Sequence, residues 1–155
     1  MFAVLDCGTT TTRVYIVDEN RTILASGREK VGVRDTAITG SRDALRSGIT
    51  KLFRKTLCKL GMEEKDISYV IASGMITSEL GLMEIPHLIA PAGLHELAES
   101  IYEAKPGEVL PVACPVYFIR GIRNDYGADV RAEKLRSVDF MRGEEAQVMG
   151  ILTET

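Results

Sequence analysis

The sequence predicts an α/β fold. Apolar residues near the N-terminus recur at strand spacing, with turn residues between the runs. The period then changes to that of a helix, and later short apolar runs, bounded by glycine and proline, alternate with helical stretches. Antiparallel strands followed by strands and helices in alternation make an α/β order. Its parallel strands need right-handed helical crossovers.

Residues 2–6, FAVLD, are an apolar run, and residues 12–18, TRVYIVD, are rich in β-branched and aromatic types. A turn cluster at 18–21 leads into residues 22–31, TILASGREKV, so three strands with short turns predict an antiparallel meander. Over residues 41–60, Leu45, Ile49, Leu52, Phe53, Leu57 and Leu60 fall on one helical face, with Ser41 placed to cap the start and Gly61 to end it. Arg42, Arg46, Lys51, Arg54, Lys55 and Lys59 fill the rest, and read as a solvated surface before an anion site. Residues 68–73, SYVIAS, predict a buried strand, ended by Gly74 and Met75 and followed by a short helical turn. Residues 85–91 are extended and broken by prolines, and residues 93–104 predict a helix. Runs at 109–113 and 116–119 predict two more strands, residues 121–137 an irregular loop, and a last helix begins near Gly143.

A length of 155 residues suits one domain. The net charge of −3 gives no basic footprint for nucleic acid. No run reaches the ~18 apolar residues of a membrane span, and the N-terminus lacks the basic segment of a signal peptide. Cys7, Cys58 and Cys114 are widely spaced without a Cys-x-x-Cys, which argues against a disulfide framework or zinc site and suits a cytoplasmic protein.

The densest chemical signal is Asp6-Cys7-Gly8-Thr9-Thr10-Thr11-Thr12-Arg13. An acid ends the first strand, and a glycine and hydroxyls follow at a hairpin tip. Gly8 permits close approach of another group to the backbone. Successive N–H groups in such a turn form a concave anion site, to which the hydroxyls of Thr9, Thr10 and Thr11 add donors. Asp6 belongs there if it holds Mg²⁺, directly or through water, between phosphate oxygens. A threonine-rich hairpin without a ligand is the plain alternative. Neither a Walker loop nor a G-x-G-x-x-G is present.

A second constellation, Arg142-Gly143-Glu144-Glu145, opens the last helix. Acids are favoured at a helix N-terminus by its partial positive charge, which accounts for both glutamates without catalysis. Arg13 is either a surface strand residue or turned toward substrate. Met75 and Ser78 follow a strand end, where α/β sheets commonly place ligands. His87 and His95 are lone histidines without an assigned role, and Arg120 and Arg123 suit either a substrate carboxylate or loop solvation.

Residues 2–18 resemble the first phosphate motif of the sugar kinase, heat-shock chaperone and actin superfamily. Arg142-Gly143-Glu144-Glu145-Ala146-Gln147, with Ser73-Gly74-Met75-Ile76-Thr77-Ser78, Pro91-Ala92-Gly93 and Gly32-Val33-Arg34-Asp35-Thr36, is similar to segments of the 2-dehydro-3-deoxygalactonokinases. Cys7 stands where that family more often has an aromatic residue, and Ala146 where it has threonine. The resemblance implies an RNase H-like, actin-like ATPase fold with ATP and Mg²⁺ in a cleft between two lobes. It implies that residues 1–140 form the N-terminal lobe and 141–155 begin an interlobe helix. Glu144 would be the catalytic base, Gly8, Thr9, Thr10 and Thr11 the phosphate site, Asp6 the Mg²⁺ ligand, and Arg13, Met75 and Ser78 the sugar-acid contacts. With one phosphate turn in the chain, the expectation is a missing second lobe or self-association through Val148, Met149, Ile151 and Leu152. The competing expectations are a non-catalytic actin-like module, or another sugar kinase of the superfamily.

Overall fold

The computed structural model describes residues 1–125 and 139–153. Strands β1 (Phe2–Cys7), β2 (Thr12–Val17) and β3 (Ile23–Glu29) form the expected antiparallel meander. On the other side of β1, β4 (Val70–Gly74) lies parallel to it. Next come β7 (Val116–Phe118), parallel to β4, and β6 (Tyr102–Ala104), antiparallel to β7. The order across the sheet is β3-β2-β1-β4-β7-β6. A small second sheet joins β5 (Leu88–Ile89), β8 (Ile122–Arg123) and β9 (Phe140–Met141). The helices are α1 (Val33–Thr39), α2 (Asp43–Cys58), α3 (Leu94–Glu99) and α4 (Glu144–Thr153).

The two-residue period of the strands decides which face is buried. Ala3, Leu5 and Cys7 of β1 are buried, and Phe2, Val4 and Asp6 on the opposite face are not. The register sets Leu5 beside Val14 and Ala72, and Cys7 beside Thr12 and Gly74, so these rows cross the core. Helix α2 packs on β2 and β3 and contributes Leu45, Ile49, Leu52, Phe53 and Leu57 to the same core. Leu60 lies past the end of the helix and is exposed. Ser41 does serve at the start, its Oγ accepting the Asp43 N–H at 3.1 Å, and Gly61 follows the end with a φ of 65°.

The basic face of α2 is a fastening surface. Arg46 Nε donates to the Val109 carbonyl, Arg54 Nη2 to that of Pro111, and Lys59 Nζ to that of Ser26. Those bonds explain why residues 109–113 are no strand. Two of their carbonyls go to arginines, Pro111 has no N–H, and Val109, Leu110 and Val112 are buried within a turn.

The helix over 93–104 is shorter than the sequence suggests. Ser100 closes α3 by donating its Oγ to the Leu97 carbonyl, and Arg120 Nε takes the Ser100 carbonyl at 2.9 Å. Tyr102–Ala104 then pairs with β7 as the edge strand β6. Helix α1 was not legible, because seven residues with two buried positions carry little periodicity. Its start is nevertheless signalled by Gly32 and Asp35, whose carboxylate accepts the Gly32 N–H at 2.9 Å. Of the loop expected over 121–137, residues 122–123 are strand β8, and the part beyond residue 125 lies outside the described residues.

Phe53→Ala should lower the unfolding free energy by about 3–5 kcal/mol, seen as a lower urea midpoint. Leu60→Ala should leave the midpoint nearly unchanged. Equal losses would contradict this placement of the core.

Candidate active site

The β1–β2 hairpin carries the threonine turn. Gly8 N–H donates to the Thr11 carbonyl at 2.9 Å, which closes the tip. The turn's own carbonyls face α1: Gly8 O accepts from Val33 N–H at 3.4 Å and Thr9 O from Arg34 N–H at 2.9 Å. A side chain at Gly32 would collide with the Gly8 and Thr9 carbonyls, so glycine there lets α1 close on the turn. Thr12 Oγ1 donates to the buried Val31 carbonyl at 2.7 Å, which makes it a structural member of the threonine run. The N–H groups of Thr9 and Thr10 and the hydroxyls of Thr9, Thr10 and Thr11 meet no partner among the described residues. The carbonyls of Gly8, Thr9 and Thr11 are thus engaged while most of the turn's donors are left over, which is the polarity an anion site requires.

Beside the turn, Asp6 and Arg13 are cross-strand neighbours. Arg13 Nη1 meets Asp6 Oδ2 at 3.0 Å, with the two side chains 42% and 28% exposed. A half-exposed pair of this kind contributes at most about 1 kcal/mol to stability, so its interest is positional. One fork of the guanidinium holds Asp6, and Nη2 and Nε have no partner among the described residues.

Strand β4 ends at Gly74, whose φ is 86°. A Cβ on Gly143, whose φ is 111°, would stand 3.2 Å from Gly74 Cα. One on Gly74 would stand 2.5 Å from the Cys7 carbonyl oxygen. Three backbones therefore stack, from β1 through β4 to the start of α4, and only glycine suits the two positive-φ positions.

Arg142 locks this stack. Its Nη1 donates to the carbonyl and hydroxyl oxygens of buried Thr77, each at 2.7 Å, and its Nη2 to the Ile85 carbonyl at 3.0 Å. Nη2 also lies 3.3 Å from His87 Nδ1. Since guanidinium only donates, Nδ1 accepts and the ring is neutral. Burial first, then the charges of Arg142 and Arg123, hold the His87 pKa below its ordinary value.

The two glutamates separate. Glu145 is 2% exposed, and both its carboxylate oxygens accept the Gly143 N–H at 2.8 Å. Burial pushes its pKa up; the Gly143 bond opposes that. Glu144 is exposed and faces a cavity of about 350 Å³.

That cavity is also lined by Asp6, Gly8, Thr9, Arg13 and Met75. Most of the residues read as functional in the sequence thus meet in one place. Thr10 and Thr11 sit at the hairpin tip outside its wall. Ser78 is not brought to it: its Oγ donates to the Met75 carbonyl at 2.7 Å and serves the turn that presents Met75. Phe140, Arg142, Gly143 and Gln147 also line the cavity. Gln147 was findable, since it lies one helical turn after Glu144. Phe140 gave no such signal. A wider hollow over α2, between Arg46, Lys51, Arg54 and Pro111, has two of its arginines committed to loop carbonyls. Among the described residues no three His, Cys, Asp or Glu side chains cluster as a metal cage, and no helix is long and apolar enough to cross a membrane.

A family model described as 2-keto-3-deoxy-galactonokinase matches residues 6–155. A crystal structure from Sinorhizobium meliloti, of a protein provisionally named 2-dehydro-3-deoxygalactonokinase, aligns with a TM-score of 0.72 at 22% identity. The match covers 99% of this chain and 43% of that one, so the chain spans less than half of that protein's length. A reductive activator for corrinoid, iron–sulfur protein aligns with a TM-score of 0.55 at 22% identity, over 77% of this chain and 22% of that one. At these identities the likeness is one of fold. No curated protein matches the sequence.

The raised Glu145 pKa fixes a sign. The folded state holds this proton more tightly than the unfolded state, so the group's contribution to stability is largest below the ordinary carboxylate range and falls as pH rises. Glu145→Gln keeps an acceptor for Gly143 N–H and should remove that component. Urea midpoints between about pH 5 and about pH 8 should fall less in the variant than in the parent. Identical slopes would contradict the buried carboxylate.

Proposed function

The chain belongs to the 2-keto-3-deoxy-galactonokinase family, and we propose that it is the N-terminal lobe of an ATP-dependent kinase acting on the 6-hydroxyl of 2-dehydro-3-deoxy-galactonate. The observation that carries the reading is the convergence of the threonine turn, with its leftover donors, and Glu144 on one cavity. The sheet supports the RNase H-like part of the proposal, since a three-strand meander followed by β4 and β7 in parallel gives the order β3-β2-β1-β4-β7. In this reading residues 1–140 are the lobe and residues 141–155 begin the helix toward a second lobe. Val148, Ile151 and Leu152 are exposed on α4. We assign that surface to a second lobe or, in its absence, to self-association.

The phosphates of ATP would lie on Gly8, Thr9, Thr10 and Thr11. Mg²⁺ usually keeps one or two carboxylates together with phosphate oxygens and water, and Asp6 beside the turn fits that donor set. Bound there, the ion would neutralise charge between phosphate groups. Arg13 would hold Asp6 with one fork and offer the other to substrate or phosphate. Glu144 would accept the proton of the 6-hydroxyl as that oxygen bonds to the γ-phosphorus and the bond to ADP breaks. Glu145 is the wrong partner for this step, being buried with both carboxylate oxygens on the Gly143 N–H, whereas exposed Glu144 gives only Oε2 to the Arg142 N–H.

Phosphorylation of 2-dehydro-3-deoxy-galactonate by Mg²⁺-ATP should be assayed with this chain and with any longer form from the same source. Glu144→Gln should lower kcat about 10²–10⁴-fold in the active form while leaving Mg²⁺-ATP binding in place. An active form indifferent to Glu144→Gln would remove the base assignment. Activity in no form, with sound folding and no Mg²⁺-ATP binding, would remove the kinase reading.

A further inference from the structure

One wall of the cavity is apolar, and its aromatic member carried no signal in the sequence. Phe140 is 63% exposed, yet it lines the same space as Asp6, Arg13 and Glu144. It is not a loose surface ring. His87 packs against it with ring centroids 6.0 Å apart and planes at 62°. His87 in turn meets Arg142, which ties both rings to the Gly74–Gly143 stack. Pairing of β9 with β8 fixes the backbone beneath it. Part of the ring is thus held and part left bare toward a cavity that also holds the charged groups of Asp6, Arg13 and Glu144.

The geometry points to Phe140 as the platform for the carbon face of the sugar acid, a subsite that sets substrate specificity. This rests on the kinase reading above. A sugar acid carries hydroxyls and a carboxylate on some edges and C–H groups on others. Its polar edges suit Asp6, Arg13, Glu144 and Gln147, and its C–H face needs an apolar, fixed surface. Phe140 and Met75 are the apolar side chains that line the cavity beside the buried Cys7. Aromatic rings present such a surface at low cost in conformational freedom, and pockets commonly pair one with a few oriented polar groups.

The chain contains no tryptophan, so Phe140→Trp installs a single indole at this wall. Phe140 is exposed, so substitution leaves the core intact. Titration with 2-dehydro-3-deoxy-galactonate should give a saturable emission change. Phe140→Ala should weaken sugar-acid binding about tenfold by calorimetry, Phe140→Tyr should restore it, and Mg²⁺-ATP binding should be unaffected in both. Sugar-acid binding with a silent indole and an unweakened Phe140→Ala would overturn the subsite and leave the kinase reading standing. An indole response to Mg²⁺-ATP alone would overturn it by giving the wall to the nucleotide. Failure of the parent chain to bind the sugar acid at any accessible concentration, while Mg²⁺-ATP binds, would overturn the subsite in this lobe.

Discussion

Gly74 and Gly143 meet so closely that a Cβ on Gly143 would press on Gly74 Cα, and one on Gly74 would press on the Cys7 carbonyl. Both take a positive φ that other residues adopt only under strain. Everything at the cavity follows from that stacking. It brings the end of β1, with Asp6 and the threonine turn, against the first residues of α4. A methyl group on Gly143 would push the start of α4, and Glu144 with it, away from the sheet, and one on Gly74 would force β4 away from β1.

Around the stack, neighbouring residues of like chemistry take different work. Glu145 spends its carboxylate on the Gly143 N–H and is buried; Glu144, one residue earlier, faces the cavity. Arg142 is consumed by Thr77, Ile85 and His87, and Arg13 keeps part of its fork uncommitted beside Asp6. Thr12 is buried and bonded to Val31, and the three threonines before it keep their hydroxyls free of described partners. In each group one member builds the site, and Glu144, Arg13 and Thr9 line the cavity.

Much of the fold was legible because strand and helix periods were strong where the core is large. The meander came from the apolar run of β1, the β-branched and aromatic types of β2 and the turns between, β4 from its short apolar run, and α2 from its apolar face. Short elements were less legible, since Tyr102–Ala104 or Val33–Thr39 contain too few residues to display a period. Residues 109–113 misled for a different reason: apolar content announced burial, but arginines from α2 took the carbonyls that a strand would pair. At the site, residue types marked the turn and the paired glutamates. They could not say which glutamate faces the cavity, because a helix start favours acids at either position. Phe140 was invisible, since its place depends on the contact with His87, which is distant in sequence.

The most direct test of the stacking is Gly143→Ala, with Gly150→Ala as a control in the same helix. A Cβ at Gly150 meets nothing within 4 Å. Backbone amide spectra of the two variants should be compared with the parent. Gly143→Ala should shift Cys7, Gly8, Gly74 and Glu144 together while the α2 core residues hold, and Gly150→Ala should shift only its helical neighbours. Shifts confined to α4 in Gly143→Ala, with Cys7, Gly8 and Gly74 unmoved, would contradict the claim that this contact joins the threonine turn to Glu144.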